Sequence, residues 1–351
     1  MYLKILPFNK TLLKKDWKIT KWLSFVVAGI LFFTMTLGVI STYNNYQIFL
    51  KEVEKYPERY TNFDENEYKK SLQQALQTSF TRLTGFEPNI IIFSPMIVAA
   101  ILFGEEKRKK TFEVLSSMPF SRWEIFFNKA VIAYLNIVLP FLINAAIMIV
   151  ALGISKGLRD FYSAGMVVSW FTADAFRLFV ILSFSLLFAS LTGTTESQLV
   201  LTFIFFIFPL GFAGLVELNM SIWGYEMSVI HSFLDTFGGY MTLSVLDRMD
   251  KIPVAFHILS AIAKLIASKL LFDHNKFERN GETLEFESVE TFFKLGVAGC
   301  ASLLFGVIFS WFGEGDIYNS GSMIVVLGYI VGFLLGWYIA SYSIQINRAK
   351  A

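Results

Sequence analysis

Eight separate runs of this 351-residue chain are apolar enough to cross a lipid bilayer. That pattern constrains folding more than any other feature, because backbone amides and carbonyls in hydrocarbon must be paired inside the protein. A helix pairs them locally, and a span needs roughly 20 mostly apolar residues to cross a core about 30 Å thick. The expected fold class is an all-α polytopic membrane protein with about eight transmembrane helices. The spans are expected at residues 23–40, 90–104, 130–152, 177–192, 199–216, 252–272, 295–312 and 323–344. The second is short, with Pro88 and Asn89 before it and Pro95 within it.

Composition supports that frame. Charged residues make up 17% of the chain, against about 25% in a soluble domain. Thirty-eight phenylalanines would make an aqueous surface aggregation-prone, yet they sit readily against lipid. A formal net charge of +2 gives no basis for nucleic-acid binding. Cys300 is the single cysteine, which excludes an internal disulfide, and three dispersed histidines (His231, His257, His274) lend little to a metal centre. Lys14, Lys15, Lys18 and Lys21 precede the first apolar run without a clear cleavage site, so it reads as an uncleaved span. Those lysines, and Lys107 to Lys110 directly after the second span, place both termini in the cytoplasm by the positive-inside rule.

The segments between spans carry the polar chemistry. Residues 1–22 mix Leu12, Leu13, Trp17 and Ile19 with lysines, which predicts an amphipathic interfacial helix with Trp17 and Trp22 at headgroup depth. Residues 41–89 form an external segment, with Leu72, Ala75, Leu76, Phe80 and Leu83 at the spacing of a short amphipathic helix. Residues 153–176 are expected to be external or re-entrant, because the apolar stretch between Asp160 and Asp174 is too short for a span. Residues 217–251 are a further external segment, and 273–294 a cytoplasmic loop. In the sixth span, a lysine near the centre would cost about 3 kcal/mol. Lys269 is expected to snorkel to the headgroups. Lys264 either snorkels too or faces the bundle interior, and His257, seven positions earlier, could share its face.

Residues 105–129 have their own logic. Glu105 and Glu106 precede four basic residues, so carboxylates and cations can pair at helical spacing. Phe112 and Leu115 share a face, Met118-Pro119 breaks the helix, and Ser121 stands three before Glu124, the spacing of a capping box for a new helix. A helix, a break and a helix re-entering the membrane suit a groove on a soluble partner; a charged surface loop is the other reading. No Gly-rich loop ends in Gly-Lys-Ser/Thr, so the chain offers no ATP site of its own, and no nucleophile stands beside a base: an enzyme is not expected.

The run Phe103-Gly104-Glu105-Glu106, then Lys110-Thr111-Phe112-Glu113-Val114-Leu115, Ser117-Met118-Pro119 and Ser121-Arg122, resembles the signature of ABC-2 type transporter permeases. Lys110 stands where the family often has glycine, and Asn128-Lys129 fits the start of the next span. Residues 277–286, followed by Phe292-Phe293-Lys294, resemble Gram-positive bacterial permeases of the YtrC and YtrD type. The resemblance implies a type V exporter-like permease bundle in a bacterial cell membrane, driven by separate ABC ATPase subunits that hold the ATP and magnesium. It implies a second permease subunit, identical or related. Glu105, Glu106, Arg108, Thr111, Phe112, Glu113, Leu115, Pro119, Ser121 and Arg122 would form the coupling contact to the ATPase. Arg279, Gly281 and Glu282 would make a secondary cytoplasmic contact, and residues 1–22 the elbow helix.

Two other function classes compete. An ion-coupled secondary transporter would want acidic residues near the midplane, and the expected spans hold almost none. A non-transporting sensor or scaffold governed by an ATPase has the same sequence requirements as an exporter.

Overall fold

A computed structural model describes residues 8–81, 89–109, 118–225, 231–232, 238–246, 253–275, 281–312 and 323–348. Seven helices among the described residues are long and apolar enough to cross a membrane. They are α1 (Lys10–Lys55), α4 (Arg122–Ile154), α5 (Ala164–Leu191), α6 (Thr195–Ile222), α7 (Val254–His274), α8 (Glu287–Ser310) and α9 (Met323–Arg348). Helix α2 (Glu65–Thr81) is shorter and polar.

The second expected span, 90–104, is helical but broken into short pieces, labelled together α3 (residues 89–108). A 3₁₀ stretch Asn89–Phe93 leads into α-helix Ser94–Ala99, a π-helical turn Ala100–Gly104 and a last α-turn Glu105–Arg108. Pro95 explains the first junction: its ring suits the first turn of a helix, where no amide partner is needed. Most of α3 is buried, with Val98, Ala99 and Ala100 fully enclosed by α4, α5 and α6.

Helix α1 corrects two expected boundaries. Residues 1–22 and 23–40 were expected as an interfacial helix and a span; from Lys10 the chain runs as one helical body to Lys55, well past residue 40. A buried stripe, Leu12, Leu23, Val27, Leu31, Met35 and Val39, continues across the expected joint, so packing keeps the helix going. A π-helical turn at Phe32–Thr36 shifts the stripe midway. Beyond residue 40, Phe49 packs edge-to-face with Tyr60 and Phe63 and at a tilt against Tyr68. Helix α2, the amphipathic helix expected within 41–89, folds back there with Leu76 and Phe80 buried, while Leu83 lies outside the described residues. Lys69 closes this cap with a 2.8 Å ion pair to Asp160.

A second correction concerns 153–176. Helix α5 begins at Ala164, so the short apolar stretch is the first part of a continuous span. Asp174 and Arg177 interrupt the apolar pattern, but one helical turn apart they neutralise each other, both buried.

The α1–α4 seam is polar as well as tight. Ser24 Oγ donates to Asn136 Oδ1 at 2.7 Å, and Asn136 Nδ2 donates to Thr20 Oγ1 at 2.8 Å. One layer further along, Thr36 Oγ1 donates to Asn144 Oδ1 at 2.7 Å. Helices α8 and α9 pack on a glycine stripe instead: at Gly328, Gly332 and Gly336 a Cβ would fall within 3 Å of α8 atoms around Phe305, Ala301 and Ala298.

Within 217–251, expected to be external, the described 3₁₀ turns Gly238–Tyr240 and Thr242–Leu246 turn back into the bundle. Val245 is fully buried with Ile92, Met96, Val180, Ile181, Phe206 and Ala261.

Candidate functional site

Alternating helix directions bring the start of α1, α4, α6 and α8 and the close of α3, α5 and α7 to one end of the bundle. Three consecutive residues of α3 organise that end. Successive helical positions differ by about 100°, so Glu105, Glu106 and Lys107 point to three different neighbours.

Glu105 faces outward. It binds Arg108 at 2.9 Å and Lys109 at 3.0 Å, and Thr195 Oγ1 donates to it at 3.4 Å from the first turn of α6. The hydrogen bonds from Arg108 and Lys109 hold its carboxyl below the ordinary glutamate range. Gly104, just before it, permits this approach: a Cβ there would stand 2.7 Å from Thr195 Cα.

Glu106 faces α1 and α4. Lys129 Nζ lies 2.9 Å from Glu106 Oε2 and 3.5 Å from Asp16 Oδ1, and it also donates to the Leu102 carbonyl at 2.8 Å. Lys15 pairs with the other Glu106 oxygen. Burial alone would raise the Glu106 carboxyl; the charge of Lys129 and the hydrogen bond and charge of Lys15 outweigh it and hold it low.

Lys107 faces α5 and the approach to α8. Its ammonium meets Glu285 Oε2 at 2.8 Å and donates to the carbonyls of Ala189 and Thr192 at 2.8 and 2.9 Å, closing the last turn of α5. Asn275 Nδ2 donates to the same Glu285 oxygen.

The block continues on α4. Ser121 accepts from the Glu124 amide at 3.1 Å, and the Glu124 carboxylate accepts from the Ser121 amide at 3.0 Å, the expected capping box. Arg122 donates to the carbonyls of Phe272, Asp273 and Asn275, so its guanidinium caps the C-terminus of α7, where the helix dipole favours a cation. Pro119 is exposed in the turn before α4. Arg108, also exposed, reaches Glu196 at 3.8 Å. Thr111, Phe112, Glu113 and Leu115 lie outside the described residues, as does Arg279.

Gly281 and Glu282 do dock at this end. The Gly281 amide donates to the Gly193 carbonyl, the Gly193 amide to the Glu282 carbonyl (both 3.1 Å), and the Glu285 amide to the Leu191 carbonyl at 3.0 Å. Gly281 has φ +99°, a left-handed conformation that glycine adopts without a Cβ penalty. Segment 281–285 is thereby bound to the α5–α6 turn, beside Lys107.

Lys264 and His257 lie elsewhere. Both face the inward-turned 238–246 segment: Lys264 Nζ donates to Thr242 Oγ1 at 2.9 Å, and His257 Nε2 lies 2.9 Å from the Gly239 carbonyl oxygen. Lys269 is ion-paired to Asp273 and lies over the Trp123 ring at 5.8 Å. The expected snorkelling lysine has a carboxylate partner one turn away.

Sequence reasoning passed over Asp16, Asn136, Asn144, Asn275 and Glu285, and read Lys107 only as a topology-setting charge and Lys129 only as the start of a span. For Asp16, Asn136 and Asn144 a signal existed, since acids and asparagines within apolar helices usually face a partner helix.

A family model described as ABC-2 family transporter protein matches residues 11–344. Searches of curated proteins and of solved structures returned no match. The matched region takes in every helix described above, from the second residue of α1 to near the end of α9. The chain is therefore a multi-pass membrane protein of permease type and belongs to the ABC-2 transporter family.

Proposed function

We propose that the chain is the transmembrane permease subunit of an ATP-driven exporter of the YtrC and YtrD type, in a bacterial cell membrane with both termini cytoplasmic. ABC ATPase subunits bearing ATP and magnesium would engage the block 105–122, and a second permease subunit would complete the pathway. The carrying observation is the fan of Glu105, Glu106 and Lys107, which ties one short turn to α1, α4, α5, α6 and the approach to α8. A displacement of that turn is shared among five elements at once, as rigid-body transmission requires. Secondary transport finds less support: buried Glu106, Asp16, Asp174 and Glu285 are all tied to cations.

The test is reconstitution with the ATPase encoded nearest the chain's gene. The purified chain alone should hydrolyse no ATP above background. In the complex, Glu105→Lys and Glu113→Lys should lower the permease-dependent part of ATP hydrolysis about tenfold without lowering membrane insertion. Unchanged rates in both variants, or labelling of Lys109 from outside the cell, would remove the basis for this reading.

A further inference from the structure

We propose that Lys264 is a recognition point inside the bundle for the anionic group, phosphate or carboxylate, of an amphiphile. The proposal rests on the transporter reading above and extends it to the chemistry of the cargo.

The contrast among interior cations carries the argument. Lys107 has Glu285, Lys129 has Glu106 and Asp16, Arg177 has Asp174, and half-buried Lys269 has Asp273. Lys264 is the middle residue of the 21-residue helix α7, where a cation is hardest to place. Among the described residues, no carboxylate stands within ion-pair distance of it. Its partners are the Thr242 hydroxyl at 2.9 Å and the Phe184 ring at 5.6 Å. A lysine ammonium has three donors, and Thr242 takes one of them.

The surroundings have the make-up of a site for a charged head on an apolar tail. Phe184, Phe206, Val245 and Ala261 supply apolar walls, while Thr242, Ser244 and His257 supply a few polar groups. His257 lies two turns away on the same face of α7, and its Nδ1 is buried without a hydrogen-bond partner. Lys264 as a whole residue is half-buried. An anionic head could take the two remaining ammonium protons, with the His257 ring nitrogen as a second polar contact for a longer headgroup. The tail would lie along the phenylalanines. A free anion of the same chemistry would use the ammonium but not the walls.

The experiment measures retention of radiolabelled lysophosphatidylglycerol and of monoacylglycerol of equal chain length by the full chain in detergent. Inorganic phosphate is the competitor. Wild type should retain the anionic lipid about tenfold over the neutral one. Lys264→Gln should abolish that preference, Lys264→Arg should keep it, and millimolar inorganic phosphate should not displace the lipid. Equal preference in Lys264→Gln would overturn the proposal; full displacement by inorganic phosphate would overturn the amphiphile and leave a free-anion site. Should Lys264→Gln fail to fold, photo-crosslinking of wild type with a diazirine lysophosphatidylglycerol decides the matter. Adducts within 238–246 and 257–268 support the site, and adducts confined to other segments refute it. Neither readout involves an ATPase, so a failure here is distinct from a failure of the coupling reading.

Discussion

Lys107 and Glu285 form a 2.8 Å salt bridge whose side chains are 1% and 0% exposed, although 178 residues separate them. The pair joins the end of α3 to the segment leading into α8. Breaking a buried pair by removing one partner costs about 3–5 kcal/mol, because the other charge stays buried and uncompensated. Lys107→Met leaves the buried Glu285 carboxylate without its cation though still accepting from Asn275, whereas Glu285→Gln leaves Lys107 with two carbonyls and an amide. We expect Lys107→Met to lose more thermal resistance in detergent than Glu285→Gln, read as the monodisperse fraction surviving heating. The reverse order would contradict this account of the pair.

Arg122, expected in the coupling contact, has its guanidinium on the C-terminus of α7. Arg122→Glu should therefore destabilise the isolated chain, in addition to any effect on ATP hydrolysis. Placing a carboxylate against carbonyls at a helix C-terminus reverses a favourable interaction of about 0.3–1 kcal/mol and leaves those carbonyls without a donor. Hydrogen exchange should rise across 270–275 in the variant, and Arg122→Lys should restore part of the protection. A variant with wild-type exchange in that segment would return Arg122 to the docking surface.

Asn136 links α1 to α4 through Ser24 and Thr20. Interhelical hydrogen bonds in membranes are worth about 0.6 kcal/mol on average and up to about 1.7. A double-mutant cycle of Asn136→Leu with Ser24→Ala should return a coupling energy in that range, from unfolding in mixed micelles. A value indistinguishable from zero would show that side-chain packing, not the polar pair, holds the seam.

Glu105 gives this end of the bundle a pH dependence of defined sign. Its carboxyl is held low by Arg108 and Lys109. A depressed carboxylate contributes stability that is fully present above the ordinary glutamate range and lost as pH falls through the depressed value. Amide exchange at Arg108 and Lys109, corrected for intrinsic rate, should rise as pH falls through that window. Glu105→Gln should flatten the dependence, and a profile identical to wild type would assign it to another group.

Much of the fold was legible because hydropathy and capping are local. The apolar runs near 130–152, 199–216 and 323–344 became the cores of α4, α6 and α9, and Ser121 with Glu124 marked the start of α4. The misses share a cause. Asp174 and Arg177 ended an apolar window that the fold continues through, because one turn of helix pairs them. The basic stretch before residue 22 suggested an interface, yet Lys15 and Asp16 turn inward to Glu106 and Lys129. The partner of Lys107 could not be read at all, since no periodicity links residue 107 to residue 285. Long-range pairing belongs to the tertiary fold, and the sequence contains it only as an unpaired acid and an unpaired base.

The π-helical turn at Ala100–Gly104 has a consequence for how this chain tolerates insertions and deletions. A π-turn accommodates an extra residue, and so fixes the angular phase of everything after it. Shortening that run by one would spin the next three side chains by about 100°. Lys107 would then be aimed toward the lysines of α1 and α4, whereas lengthening the run by one would aim Glu106 at Glu285. Length in this short stretch should accordingly be less negotiable than composition: neutral replacements pass, while a single-codon indel sets like charges against each other on one side of the turn.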